Sequence, residues 1–133
     1  MVLLEVPILP PSVNNRGKSW RVMHGLTNEF KAHLWSAAAD ADLTDIGFGS
    51  KTDPLMVEVG YLFGPERGAR QSDTMSNREK AVLDALKFAG IITDDRYVKQ
   101  GWVGSAHAEE SSTLTRVSRV PVLSEAELRG RFA

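Results

Sequence analysis

The sequence predicts a single α/β (α+β) domain with a mixed sheet of about four strands and with helices packed on that sheet. The chain has 133 residues, of which 42% are hydrophobic, and this is enough for one core of modest size. Segments with alternating apolar residues, typical of strands, are interleaved with segments of helical period. No internal repeat or low-complexity tract separates a second domain. Residues 1–133 are therefore expected to form one unit in the order β-α-β-α-β-β-α.

The first half of the chain contains two predicted strands and one predicted helix. Residues 2–8 are rich in aliphatic and β-branched side chains and stop at a pair of prolines, so they form the first strand. Residues 12–26 have no period and are expected to form a functional loop. Thr27 is expected to cap a helix over residues 27–43. Leu55–Phe63 alternates apolar side chains with a mixed face and is the clearest strand.

A central amphipathic helix is predicted from its caps and its apolar stripe. Ser76 and Glu79 match the S-x-x-E capping box, in which each side chain satisfies a backbone N–H of the first turn. Gly90 is placed to take the left-handed conformation that ends the helix. The apolar side chains between these caps repeat at helical spacing and form one buried stripe, which consists of Ala81, Val82, Ala85, Leu86 and Ala89.

The C-terminal part of the chain contains two more predicted strands and a short helix. Residues 97–106 and 113–120 are the strands, and the polar segment between them is expected to be a hairpin-like connection. Ser124 and Glu127 form a second capping box, which predicts a short helix that ends near Gly130.

Composition and charge exclude several classes of protein. The chain has no cysteine, which excludes a disulfide scaffold and a thiolate zinc site and fits a reducing cytoplasm. No apolar run approaches the ~20 residues that span a bilayer, and the N-terminus lacks the basic region of a signal peptide. The net charge of −1 argues against a large, sequence-independent DNA footprint. We therefore expect a cytoplasmic protein without a membrane partner.

Acidic residues and one lysine flank the central helix in a pattern that suits a divalent metal ion. Asp73 precedes the helix, Lys80 lies near its start, and Asp84 follows Lys80 by four residues on the same face. Asp94 and Asp95 follow the helix end. Carboxylate oxygens are ligands for Mg²⁺, and a lysine beside such an ion stabilises developing negative charge. The same residues also fit a simple turn, a favoured charge at a helix N-terminus and a surface ion pair.

Basic side chains are concentrated in the two loops that are expected near these acids. The first loop also contains Trp20, which would stack on an unpaired base if it is exposed and pack beneath the loop if it is not. Cations on such loops hold the DNA backbone in phosphodiester chemistry, but they also serve simply as solvated charges. The basic residues are Arg16, Lys18, Arg21 and His24 in the first loop and Arg67 and Arg70 in the second.

Two segments of the chain resemble the RusA family of Holliday-junction resolvases. The first is the P-P-S-x-N loop, which residues 10–16 fill after the first predicted strand. The second is the run N-x-x-K-A-x-x-D-A-L-x-x-A-G-x-x-x-D-D, whose order and separation from the first also agree with the family. The residues that fill the second run are Asn77, Lys80, Ala81, Asp84, Ala85, Leu86, Ala89, Gly90, Asp94 and Asp95.

The resemblance implies a small homodimeric endonuclease that cuts four-way DNA junctions in recombination and repair, with Mg²⁺ or Mn²⁺ as cofactor. Such enzymes are common in phages and prophages. By position, the resemblance implies Asp73, Lys80 and Asp95 as catalytic residues and Asp73, Asp94 and Asp95 as metal ligands. We expect the residues that hold branched DNA to be Asn14, Asn15, Arg16, Lys18, Arg21, Arg67 and Arg70.

The sequence departs from the family pattern at one place. The family usually has D-x-D-N before the central helix, with both aspartates as ligands, whereas residues 73–77 read D-T-M-S-N here. Ser76 therefore replaces the aspartate next to the asparagine, and Asp73 is displaced by one residue. Three functions stay open: an active resolvase, a catalytically weakened or inactive junction-binding homodimer that keeps the scaffold, and an accessory protein without a nucleic-acid role.

Overall fold

The computed structural model describes residues 1–11, 20–65, 78–121 and 123–133. Within these ranges the elements follow the predicted order β-α-β-α-β-β-α, with one short 3-10 turn at Asp95–Tyr97. The strands and helices are β1 (Val2–Val6), α1 (Trp20–Asp40), β2 (Leu55–Phe63), α2 (Glu79–Phe88), β3 (Val98–His107), β4 (Ser112–Arg119) and α3 (Glu125–Arg131).

The four strands form one mixed sheet in the order β1-β4-β2-β3. Strand β4 lies antiparallel to both β1 and β2, whereas β3 lies parallel to β2. Because parallel neighbours require a crossover connection, α2 links β2 to β3 as a β-α-β unit. The predicted mixed α+β fold, with its single sheet, is thereby confirmed.

The connection between β3 and β4 is not a hairpin, contrary to the sequence prediction. Strand β2 lies between these two strands, so they are about 10 Å apart, twice the spacing of neighbouring strands. Residues 108–111 make the connection, and four extended residues reach about 13 Å, which is long enough to cross one strand. The polar composition of the segment indicated a connection correctly, but it contained no information about which strands pair.

One face of the sheet is covered by α1 and α2, and none of the described helices covers the opposite face. The alternation predicted for Leu55–Phe63 is confirmed, because its odd-numbered residues are buried and the residues between them are half-buried. On the opposite face the side chains of Leu3, Trp102 and Leu114 are exposed. The core between sheet and helices includes Val2, Leu4, Val6, Val57, Val59, Tyr61 and Val117 from the strands and Phe30, Leu34, Ala38, Val82, Ala85 and Leu86 from the helices.

Helix α1 begins earlier than the sequence predicted. Residues 20–26 are helical, so this part of the predicted loop is wrong, and residues 12–19 lie outside the described ranges. Thr27 is not a cap, since its hydroxyl donates a hydrogen bond of 2.9 Å to the carbonyl oxygen of Met23 inside the helix. A threonine that bonds to the preceding turn in this way is a helix-interior residue.

The buried stripe of α1 is confined to its C-terminal half. Phe30, Leu34 and Ala38 are buried, whereas none of the residues 20–29 is. The apolar period continues into the N-terminal half only through the half-buried side chains of Met23 and Leu26. The N-terminal half therefore lacks the strong apolar stripe by which an amphipathic helix is recognised in a sequence.

Helix α2 begins at Glu79, with Arg78 at the N-cap position and no side-chain hydrogen bond from that residue to the first turn. Glu79 is thus the first helical residue and not the third, so the predicted capping box of Ser76 and Glu79 is wrong; Ser76 itself lies outside the described ranges. The predicted helix end is confirmed, because Gly90 takes the left-handed conformation with φ +73°.

A short segment after α1 holds the chain in place where it leaves α2. The backbone N–H of Asp45 donates to the carbonyl oxygen of Ala89 at 3.0 Å, and the N–H of Gly47 donates to that of Gly90 at 2.8 Å. Phe48 then donates to Ile91 at 2.8 Å. These bonds position residues 93–95 at the start of β3.

Helix α3 is short and lies wholly on the surface. Its predicted capping box is confirmed, because the hydroxyl of Ser124 accepts from the N–H of Glu127 while the Glu127 carboxylate accepts from the N–H of Ser124. Every residue from 124 to 133 is exposed. Neither α3 nor any other helix within the described ranges has the length and apolar character needed to cross a bilayer.

Candidate metal and DNA-binding site

The N-terminal end of α2 is attached to the chain segment that follows β1. Arg78 is buried, and its guanidinium donates a hydrogen bond to the carbonyl oxygen of Pro10, 68 positions away along the chain. The same guanidinium lies 5.9 Å from the centroid of the Phe63 ring, which provides a cation–π contact. The contact of Arg78 with Pro10 therefore holds the start of α2 next to the segment that follows β1.

The contact of Arg78 with Pro10 lies where one predicted DNA-binding loop begins and the other ends. Residues 12–19 follow directly after the Pro10 segment, and residues 66–77 lead into Arg78. The loops themselves lie outside the described ranges. Most of the predicted site residues fall in them, namely Asn14, Asn15, Arg16, Lys18, Arg67, Arg70 and Asp73.

A buried phenol lies beside the same helix end. Tyr61 is fully buried, and its hydroxyl has no hydrogen-bond partner among the residues that the structure describes. Burial raises the pKa of Tyr61 above its usual value, and the Glu79 carboxylate raises it further, against the opposing charge of Arg78. Tyr61 therefore stays a neutral hydrogen-bond donor at neutral pH. The sequence did not single out Tyr61 or Arg78 as site residues, because Tyr61 fits the apolar face of a strand and Arg78 resembles any solvated arginine at a helix start.

Lys80 is the only predicted catalytic residue in the first turn of α2. Its side chain is exposed and makes no hydrogen bond or ion pair with any residue in the described ranges. Asp84, which follows on the same face and is half-buried, does not pair with it in this part of the chain. Among the described residues, nothing competes with a phosphate for the ammonium group of Lys80.

Asp94 and Asp95 lie at the other end of α2. Asp94 caps the 3-10 turn, since its Oδ1 accepts from the backbone N–H of Arg96 at 3.1 Å, while its Oδ2 lies 3.1 Å from Arg96 Nε. The backbone N–H of Arg96 lowers the pKa of Asp94 most, followed by a hydrogen bond with the carboxyl group of Asp95. The charges of Arg96 and Lys87 act in the same direction. Asp94 is therefore ionised at neutral pH, and a metal ion there would compete with Arg96.

The structure does not bring Lys80 and the Asp94–Asp95 pair together within one copy of the chain. The ten residues of α2 span about 15 Å, and Lys80 is near the first of them whereas the two aspartates follow the last. The lysine of α2 that acts on Asp94 is Lys87, in the final turn. Of the predicted catalytic and metal-binding residues, only the neighbouring Asp94 and Asp95 are close to each other in the described ranges.

Those two carboxylates supply part of the donor set that a divalent ion needs. Within the described ranges no group of three or more histidine, aspartate or glutamate side chains could hold a metal ion. Mg²⁺ takes one or two protein carboxylates and fills its remaining positions with water and phosphate oxygens, so Asp94 and Asp95 fit such an ion when DNA is bound. The third predicted ligand, Asp73, lies outside the described ranges.

Arg21 is the only one of the predicted DNA-binding residues that the structure describes. It lies exposed in the first turn of α1, next to Trp20, whose side chain is 75% exposed. The Trp20 ring stacks on the ring of His24, with centroids 5.0 Å apart and an angle of 13° between the planes. This end of α1 thus presents one cation beside a solvent-exposed aromatic pair, a combination that suits single-stranded or distorted DNA.

No protein-family model matches the chain, and no curated protein matches it either.

Proposed function

We propose that the chain is a Mg²⁺- or Mn²⁺-dependent endodeoxyribonuclease that resolves Holliday junctions and related branched DNA in recombination and repair. It works as a homodimer in the cytoplasm of a bacterial or phage-infected cell. The resemblance of two sequence segments to the RusA family supplies the reaction. The observation that supports the proposal most directly is the contact of Arg78 with Pro10, because it joins the ends of those two segments across 68 positions.

Each predicted residue has a defined role in the proposal. Asp73 and Asp95 hold the divalent ion, and Asp94, which is ionised at neutral pH, is a further ligand or orients Asp95. The bound ion activates water and polarises the scissile phosphate. Lys80 stabilises the charge that develops on that phosphate. Since Lys80 lies near the start of α2 and Asp95 follows its end, the second copy has to supply one of these two groups at each scissile phosphate.

The basic loops and α1 hold the DNA. Arg21 lies exposed where the first loop enters α1, and Trp20 beside it offers a ring face to a splayed base. The remaining cations of the two loops grip the backbone on either side of the carboxylates. A two-fold dimer presents this set twice, which matches the two-fold symmetry of a four-way junction.

A second candidate function is a junction-binding homodimer without nuclease activity. Two observations favour it: Ser76 stands where the family has an aspartate ligand, and Lys80 is separated from Asp95 along α2. This protein would keep the basic loops and the scaffold while its metal site has lost ligands.

The decisive experiment incubates the protein with a synthetic four-way junction and either metal ion. Paired symmetric nicks are expected in the parent and should disappear in Asp95→Asn, Asp73→Asn and Lys80→Met. The matched controls Asp40→Asn and Lys51→Met change exposed residues that are not among the predicted site residues, and these variants should cut normally. Tight binding without nicks under both metals would establish the junction-binding alternative. Neither binding nor cleavage would contradict both nucleic-acid functions and leave the accessory protein.

A further inference from the structure

Helix α1 is longer than the core of the domain requires. Its buried side chains lie between Phe30 and Ala38, and none of the residues 20–29 is buried. Two tryptophans of this helix are exposed, Trp20 by 75% and Trp35 by 47%. Packing in the core does not account for large aromatic rings in these positions. The side chains around the two tryptophans indicate which ligand would account for them.

The two tryptophans belong to one band of side chains along α1. Residues three or four positions apart are neighbours on a helix surface, and the members of the band follow this spacing. The band extends over about 22 Å, because each residue adds about 1.5 Å to a helix. Its members on α1 are exposed, except for the half-buried lysine. They are Trp20, His24, Asn28, Lys31 and Trp35.

Aromatic rings and a cation follow one another along this band. The Trp20 ring stacks on the ring of His24, with 13° between the planes. Further along, Nζ of Lys31 lies 5.9 Å from the centroid of the Phe88 ring, which extends the band onto the last turn of α2. Phe88 is 60% exposed, so its ring has surface left for a ligand. We call the five residues of α1 together with Phe88 the aromatic band.

The charges of α1 are distributed around the helix axis in the way that a polyanion requires. Lys31 is a member of the aromatic band, and the exposed Arg21 lies beside Trp20 at one end of it. The acids of α1 are Glu29 and Asp40. At about 3.6 residues per turn, both lie about half a turn away from Trp20. The side of α1 that bears the rings is therefore positive, although the chain as a whole has a net charge of −1.

The other end of the aromatic band lies at the same end of α2 as the predicted metal ligands. Lys87, which directly precedes Phe88, is exposed and close enough to Asp94 for its charge to act on that carboxylate. Asp84, one turn before Phe88, is half-buried and is the one acid of α2 on this side of the helix. The band thus leads from the start of α1 toward Asp94 and Asp95.

The composition of the aromatic band fits unpaired nucleotides better than a protein surface. Each base has a face that stacks on an aromatic ring, and the phosphates between the bases pair with cations. Protein interfaces are depleted in lysine, and the aromatic band has no aliphatic side chain. In duplex DNA each base is stacked between its neighbours, so such rings reach only bases that are unstacked.

We propose that a single DNA strand lies along the aromatic band, with bases stacked on Trp20, Trp35 and Phe88. Its phosphates pair with the lysines beside these rings, Lys31 and Lys87. The inference rests on the proposed function, because a branched substrate supplies strands with unpaired bases. It goes further by assigning the path of the strand to the outer side of α1 and the end of α2. Strand binding itself requires neither the metal ion nor nuclease chemistry.

Fluorescence anisotropy with a labelled thymidine oligonucleotide of about 16 nucleotides, without divalent metal ions, tests the band. The parent is expected to bind this strand. Trp35→Ala and Phe88→Ala should each weaken binding roughly 5- to 150-fold, which is the effect of losing one stacked base. Both variants should leave the affinity for a duplex of the same length unchanged. Val22→Ala, which shortens an exposed apolar side chain on the opposite side of α1, is the matched control and should bind the strand like the parent.

The salt dependence of strand binding tests the role of Lys31. Loss of one phosphate contact lowers the slope of log affinity against log salt concentration by about 0.7 for a single strand. Lys31→Met should show this decrease. Glu29→Gln changes a charge on the opposite side of the helix and should keep the slope of the parent. Circular dichroism should show the same helix content in all variants, because each substituted side chain is exposed or half-buried.

Several results would overturn the inference. They are a parent that does not bind the strand, Trp35→Ala and Phe88→Ala variants that bind it like the parent, and an equal loss of duplex binding in these variants. An unchanged salt slope for Lys31→Met would count against the path as well. A change in the solution mass of the variants at unchanged DNA affinity would assign the band to a protein contact instead.

These outcomes are separable from those of the nuclease assay. Strand binding along the band by a protein that cuts no junction keeps the inference and removes the nuclease activity. Junction cleavage by a parent that does not bind a single strand removes the inference alone.

Discussion

Replacement of Gly90 by alanine tests how the chain is held where it leaves α2. Gly90 has φ +73°, a conformation that side chains with a Cβ rarely adopt. An added Cβ would lie 2.8 Å from the Cα atom and 3.0 Å from the backbone nitrogen of Asp45. Since these are backbone atoms, no side-chain rotation relieves the contact, and the segment at Asp45 has to move away.

Two costs add up in this variant. Alanine in the left-handed region costs roughly 1–2 kcal/mol. Movement of Asp45 weakens its hydrogen bond to the carbonyl oxygen of Ala89, now 3.0 Å long, and such a bond contributes about 1 kcal/mol. We therefore expect Gly90→Ala to lower the free energy of unfolding by about 2–3 kcal/mol, equivalent to a fall in Tm of about 10 °C for a chain of this size.

Gly25→Ala is the matched control for this substitution. Gly25 lies in α1, and a Cβ on it would meet nothing within 4 Å. Alanine is favoured over glycine inside a helix by roughly 0.5–1 kcal/mol, so this variant should be more stable than the parent. Urea unfolding monitored by circular dichroism measures both. A loss below about 0.5 kcal/mol for Gly90→Ala, or shifts of the same sign in both variants, would refute the reasoning.

Three further substitutions address the core, the buried phenol and the turn after α2. Leu34→Ala should lower the free energy of unfolding by about 2–5 kcal/mol because Leu34 is fully buried; a loss near that of Trp35→Ala, a half-exposed neighbour, would contradict this. Tyr61→Phe should leave stability unchanged or raise it by up to about 1 kcal/mol, because the hydroxyl has no partner in the described ranges; a clear loss in urea unfolding would show that it is paired. Hydrogen bonding to Arg96 and Asp95 lowers the pKa of Asp94. The ionised Asp94 carboxylate therefore stabilises the fold at neutral pH, and this stabilisation is lost as the pH falls below 3.8. The stability difference between the parent and Asp94→Asn should accordingly shrink in acid, and a difference that stays constant with pH would count against it.

The elements with a clear period were predicted well from the sequence. Leu55–Phe63 has the bounds that its alternation predicted, because its inward side chains are all apolar and the strand lies on a half-covered sheet. The end of α2 at Gly90 was also predictable, since few residues other than glycine take that conformation. The second capping box was predicted for the same kind of local reason.

Features that depend on contacts between distant segments were not predictable from local patterns. Nothing in residues 108–111 indicates that β2 separates β3 from β4. The contact of Arg78 with Pro10 is a tertiary contact, and α2 begins at Arg78 without the expected side-chain cap. For the candidate site, the sequence identified Lys80, Asp94 and Asp95 by type and spacing, but it did not show that α2 keeps Lys80 apart from the aspartates.

The strand order has a consequence for how the protein is made. Strand β4 is the last strand to leave the ribosome, yet it occupies an inner position between β1 and β2. Until it emerges, β1 has no strand to pair with among the described elements, and of the strands only β2 and β3 are able to pair. Such long-range pairing slows folding, because most of the chain has to be present before the sheet closes. A nascent chain that stops before residue 112 thus contains the β2-α2-β3 unit and α1, but its β1 has not yet joined the sheet.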